Sequence, residues 1–229
     1  MKNLSVITGD IVRSTRVYGS GYMLRNLKSV FMDLEDTGLV RPGMWEVFRG
    51  DSFQLLPSRP AMALRVALIL RAGLIARVLR PENRVEEDAG ISSHYDARLS
   101  IGFGAAGNLS EKISESGGEA FELSGKRLDA MKAEQRRLAI ACADNSLSGH
   151  LDISSLLADV LVSSWSENSA LAVYRQLLYG ETQQQTAAFL QITQPSVQNR
   201  LKIAHFDEIK HFISYFEVLI NARSDDGIR

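Results

Sequence analysis

The chain has 229 residues, room for one large domain or two modest ones. Hydrophobic residues make up 45% and charged residues 23%, ordinary globular usage that excludes a disordered chain. A net charge of −1 excludes a general attraction for nucleic acid, and a single cysteine, Cys142, excludes both an internal disulfide and a cysteine-built zinc site.

The N-terminal stretch MKNLSVITGD lacks a small-residue cleavage site after an apolar core, so it does not read as a signal peptide. Asn3 to Ile7 predicts a short buried strand that ends in the turn Gly9-Asp10. From Gly21 to Leu34 apolar residues recur at helical spacing. Met44 to Phe48 and Ser52 to Leu56 predict two strands flanking Arg49-Gly50-Asp51 in a tight hairpin. Pro60 sits where a helix begins, and Ala61 to Leu79 predicts a long one. Arg65, Arg71 and Arg77 interrupt its apolar run, so it reads as amphipathic and not as a membrane span. A soluble, cytoplasmic protein is expected.

Pro81 to Tyr95 reads as a surface loop, Ala97 to Ala106 as a glycine-rich strand, Leu109 to Gly118 as a loop, Glu119 to Lys132 as a helix and Leu138 to Cys142 as a strand. The order β-α-β-β-α-β-α-β contains a ferredoxin-like unit, an antiparallel sheet covered by helices on one face. The expected fold class is thus α+β, a ferredoxin-like α/β sandwich over residues 1–144, followed by an all-α domain over 145–229. Asn145 to Gly149 reads as a hinge between them. Helices are expected at Leu151 to Val162, Glu167 to Tyr179, Gln183 to Leu190, Pro195 to Ala204 and Asp207 to Asn221.

Within the second part, Thr182 is a good N-cap with Gln185 three residues on, and Pro195 sits at the start of the next helix. Val197 and Leu201, four apart, are expected to face the core. Gln194, Ser196, Gln198, Asn199, Arg200 and Lys202 are then left toward solvent. Amides pair bidentately with adenine, and Arg or Lys reach guanine or phosphate, so this face suits DNA. The segment from Thr182 to Phe206 holds two basic residues and no acidic ones, although residues 150–229 hold six basic against nine acidic. The motif, about 182–203, resembles the helix-turn-helix of bacterial transcription regulators, which commonly bind as dimers. The other reading is a plain helical hairpin.

In the first part, the topology brings Asp10 and Asp51 to neighbouring strands. Two carboxylates suit Mg2+, a hard cation bound through nucleotide phosphates, and a pair of such ions serves phosphoryl chemistry. The motifs DIVRST (Asp10 to Thr15) and GDSF (Gly50 to Phe53) resemble the class III nucleotidyl cyclase catalytic domain. That resemblance implies Asp10, Asp51 and the Ile11 carbonyl as ligands of Mg2+ or Mn2+, and Val12, Arg13, Ser14 and Thr15 near a triphosphate. Arg49 is a further candidate phosphate contact. Glu122 and Lys126 stand where the family has asparagine and arginine, with Arg127 adjacent, and Val47 stands where many cyclases have a purine-reading lysine. Glu122, Lys126 and Arg127 are the candidate catalytic positions.

Over nearly the whole chain, Gly9 to Ile11, Arg49 to Gln54, Gly118 to Lys132 and the terminal helices resemble the bacterial SatD family. Two functions stay open: a DNA-binding regulator, expected as a homodimer, whose first domain senses a nucleotide or phosphate ligand; or a metal-dependent nucleotidyl cyclase or nucleotidyltransferase with an attached DNA module.

Overall fold

The computed structural model describes residues 3–13, 20–48, 51–78, 80, 95–110 and 112–225. Among them lie five strands and eight α-helices: β1 (Asn3–Arg13), α1 (Ser20–Asp36), β2 (Val40–Phe48), β3 (Ser52–Pro57), α2 (Ala63–Ile75), β4 (Tyr95–Ala105), α3 (Glu119–Glu134), β5 (Leu138–Cys142), α4 (Asn145–Ser163), α5 (Glu167–Tyr179), α6 (Gln183–Leu190), α7 (Gln194–Ile203) and α8 (Phe206–Asp225). The chain is a mixed α and β structure, and its element order through β5 is the expected one. No helix among the described residues is long and apolar enough to cross a membrane.

The sheet runs β2-β3-β1-β4-β5. Four strands pair antiparallel, and β5 adds parallel to β4 because α3 carries the chain back across the sheet. Contrary to the one-sided arrangement expected, helices cover both faces. Successive strand residues point to opposite sides, so Ile7 and Ile11 join the core built with α1 and α2, while Leu4 and Val6 pack on Ala120 and Phe121 of α3. Close approach of α3 depends on Gly102: a Cβ there would stand 2.2 Å from the Ala120 carbonyl oxygen.

Several boundaries differ from the periodicity. β1 continues to Arg13, paired residue for residue with β4, so Asp10 sits inside a strand and not at its end. The predicted helix from Ala61 is a 3-10 turn (Pro60–Met62) followed by α2, which stops where Arg77 turns to φ 56°. β2 reaches back to Val40, with a register shift before Trp45 that takes up Pro42 and the positive φ of Gly43. The loop expected at Pro81 to Tyr95 lies outside the described residues, apart from Tyr95, which opens β4.

Asn145 to Gly149 is no hinge but the first turns of α4. The Asp144 carboxylate caps it by accepting from the Ser146 and Leu147 backbone N–H groups, and these bonds hold its pKa below the usual range. Leu147 and Leu151 then bury inward, which outweighs the weak helix preference of Ser and Gly.

One hydrophobic core crosses residue 144, running from Ile7 and Phe31 through Leu68 to Val173, Leu201 and Phe216. Polar links cross it too. Arg71 of α2, fully buried, donates to Asp96 of β4 (2.9 and 2.7 Å), to Asp159 of α4 (2.6 Å) and to Ser163 (3.0 Å). Asp159 also accepts from the Arg137 backbone N–H, and the Arg137 guanidinium binds Asp96, so two cations meet two carboxylates. The Tyr174 hydroxyl of α5 donates to Asp33 of α1 at 2.6 Å; burial and that carboxylate raise its pKa.

Candidate functional site

Asp10 is flanked in the sheet by Ser52 of β3 and Arg98 of β4. Its carboxylate is nearly buried and accepts two bonds from the Arg98 guanidinium, Nε to Oδ1 at 2.8 Å and Nη2 to Oδ2 at 3.0 Å. This bidentate fork is the strong form of the pair. Hydrogen bonding to Asp10 raises the Arg98 pKa, with further support from the charges of Asp10 and Asp51. Of the two expected carboxylates, Asp10 alone is bonded to Arg98. The Asp51 carbonyl accepts from the Ile11 N–H at 3.1 Å, which ties the hairpin to β1.

Lys132, in the last turn of α3, brings its Nζ to 3.9 Å from Asp10 Oδ2. One turn pair earlier on the same helix face, the Ser124 hydroxyl meets the Thr8 hydroxyl at 2.7 Å, and Gln54 Nε2 donates to Thr8 at 3.1 Å. Gly9, between Thr8 and Asp10, faces the other way; a Cβ there would lie 2.6 Å from Phe53 and 2.7 Å from Leu99. Its part in the Gly-Asp pair is to leave room for Phe53 and Leu99 of the neighbouring strands, not an approach to phosphate.

The remaining expected residues divide. Val12 lies in β1, half-buried and opposite Asp96. Arg13 ends β1 opposite Tyr95. Ser14, Thr15 and Arg49 lie outside the described residues. Glu122 and Lys126 are not brought to Asp10: they pair with each other at 3.1 Å on the exposed side of α3. Arg127 points to Glu134 and Asp152, at 2.7 and 3.0 Å, and these bonds hold the Glu134 pKa down. The α3 residues that do face the site are Ser124 and Lys132.

With Asp10, Asp51, Arg98 and Lys132 the site carries two charges of each sign. Its carboxylates are donors of the right chemistry for Mg2+ or Mn2+, but Arg98 holds both Asp10 oxygens. A divalent ion fits only together with phosphates that offset its charge, and only once Arg98 swings from Asp10 to those phosphates.

Sequence reading missed Arg98 and Lys132. The signals were present: Asp96, Arg98 and Ser100 alternate with Ala97, Leu99 and Ile101, and Lys132 follows Ser124 and Leu128 at steps of four.

The second polar surface is on α6 and α7, joined by Gln191, Ile192 and Thr193. Thr182 and Gln185 form the reciprocal cap, Gln191 takes φ 54° at the turn, and Thr193 caps α7 by accepting from the Ser196 N–H. Val197 and Leu201 are buried as expected, and Trp165 Nε1 donates to the Ala204 carbonyl at 2.9 Å, pinning the end of α7. Gln194, Ser196, Gln198, Asn199 and Lys202 are exposed, and Arg200 is half-buried. Ser196 bonds the Thr193 hydroxyl; the other five side chains have no hydrogen-bond partner among the described residues.

No protein-family model, no curated protein and no solved structure matches the chain.

Proposed function

We propose that the protein is a DNA-binding regulator whose sheet half takes a nucleotide or another phosphate ligand. The observation that carries this reading is the outer face of α7: five amide or cationic side chains have no partner among the described residues, on a helix seated by Val197 and Leu201. Two capped helices joined by a three-residue turn agree with a helix-turn-helix over about 182–203. The strand order β2-β3-β1-β4 supports a ferredoxin-like, nucleotidyl-cyclase-like unit in the first part. Arg98 and Lys132 supply the cations for a phosphate, and such a ligand competes with Asp10 for Arg98. Two copies on two half-sites offset the weak charge of each DNA module.

Retention of labelled genomic fragments on the full chain, measured across salt concentrations, tests the DNA part. Arg200→Ala is expected to weaken binding and lower the salt slope by about 1, as loss of one phosphate contact requires. Unchanged retention and slope would sink the placement of the reading helix.

The second reading is a nucleotidyl cyclase or nucleotidyltransferase. The Asp51 backbone lying beside β1, next to Asp10, favours it, while the outward pairing of Glu122 with Lys126 counts against it. Incubation with each NTP and Mg2+ or Mn2+ separates the two: pyrophosphate release that disappears in Asp10→Ala and Asp51→Ala selects the enzyme.

A further inference from the structure

The inward side of α4 buries Leu147, Leu151, Ala158 and Val162. Its outward side carries Ile153, Leu156, Leu157 and Val160, with 63, 43, 65 and 66% of their surface exposed. Steps of three and four join them into one stripe along the helix. Single exposed apolar residues are ordinary, but a contiguous stripe marks a surface that meets something.

Charge narrows the choice of partner. α4 contains no Lys, Arg or Glu, and both of its aspartates are engaged: Asp159 binds Arg71, and Asp152 binds Arg127 and Arg136. The stripe is flanked by Ser146, His150 and Ser154, so the same surface on another copy meets no like charge across it.

Residue size narrows it further. Along the stripe the order is Gly149, Ile153, Leu156, Leu157, Val160, Ser164. This series reads the same in both directions: small, β-branched, leucine, leucine, β-branched, small. An isologous contact needs that property, because residue i of one copy meets j of the other while j meets i. A two-fold axis between Leu156 and Leu157 sets antiparallel helices with Ile153 on the partner's Val160, Leu156 on the partner's Leu157, and Gly149 on the partner's Ser164. A Cβ on Gly149 would meet open space, so that end of α4 is free to be approached closely.

We propose that two copies of this chain associate through antiparallel α4 helices about that axis. The stripe offers roughly 400 Å² of apolar surface per copy, about half the ~800 Å² that a standard interface covers on each partner. The dimer is therefore a weak one that forms and dissociates with concentration. It gives a location to the two-copy part of the regulatory reading and rests on that reading for its use.

Sedimentation equilibrium of the full chain, without DNA, is expected to show a monomer–dimer equilibrium, shifted to monomer by Leu157→Glu with an unchanged melting curve. Orientation is tested by thiols, since the native Cys142 is buried. A mixture of Ile153→Cys and Val160→Cys chains is expected to cross-link between the two variants faster than either does with itself. A wild-type monomer at all concentrations, a dimer indifferent to Leu157→Glu, or faster self-linking of Ile153→Cys would each overturn the proposal. A dimer without DNA retention counts against the DNA reading alone, and DNA retention by a monomer against the α4 interface alone.

Discussion

The sheet end around Asp10 and the outer face of α7 are both rich in polar side chains, yet they treat them in opposite ways. At the sheet end the groups satisfy one another: Asp10 with Arg98, Thr8 with Ser124 and Gln54. On α7, Gln194, Gln198, Asn199, Arg200 and Lys202 satisfy nothing within the described residues. A closed set contributes to stability and must be opened before it binds anything. An open set leaves stability alone and is ready for an outside partner. The contrast explains why the α7 surface carries the functional proposal and the sheet end only supports it.

Substitutions at the two places should separate along that line. The largest loss is expected away from both, at Arg71→Met, which strips the buried Asp96 and Asp159 of their shared cation. About 3–5 kcal/mol is the usual cost of breaking such a network from one side, read as a drop in urea midpoint. A loss under about 1 kcal/mol would mean that the two carboxylates find other partners.

Gly102→Ala is expected next, at about 1–3 kcal/mol, because its methyl group drives α3 off β4. Asp10→Ala should cost a similar ~1–3 kcal/mol by leaving Arg98 half-buried and unpaired. By contrast Gln198→Ala and Asn199→Ala should move stability by no more than about 0.5 kcal/mol while weakening DNA retention. If Asp10→Ala proves neutral and Asn199→Ala damaging to the fold, the distinction between closed and open surfaces fails.

Alkaline titration acts gradually. Burial pushes the Cys142 thiol from 9.0 up to about 12. The folded form holds its proton where the unfolded chain releases it, so stability is full below pH 9 and falls as pH rises toward 12, by about 1.4 kcal/mol per unit for one proton. Tyr174, raised in the same direction, adds to the loss at higher pH. Denaturant midpoints that stay flat from pH 9 to 11 would refute this. Thr182→Ala, which removes one cap at the head of α6, should cost about 1 kcal/mol.

Much of the fold could be read from residue order. Period-two and period-3.6 patterns marked the strands and helices through β5, and the topology set β1 beside β3, which places Asp10 near Asp51. The α6–α7 pair was legible because its signals are local: a cap at Thr182, a proline at the helix start, and two buried residues four apart. What escaped depends on partners far along the chain. Arg98 meets Asp10 only through the β1–β4 register, and which α3 side chains face Asp10 is decided by how Gly102 lets that helix settle. The supposed hinge at Asn145 to Gly149 misled because Ser and Gly favour loops on their own, whereas Asp144 and the buried leucines act only once β5 is in place.

The guanidinium of Arg71 has one more consequence. Wedged between an acid of β4 and an acid of α4, it leaves the polypeptide without a seam. A gene cut after Ala143 would keep Arg71 with Asp96 in the first piece and carry Asp159 away in the second without a cation, each piece with a face stripped of its cover, and neither would be a soluble product by itself. The sheet-bearing and helical parts are thus not portable modules, and heating the intact protein should melt them in a single step.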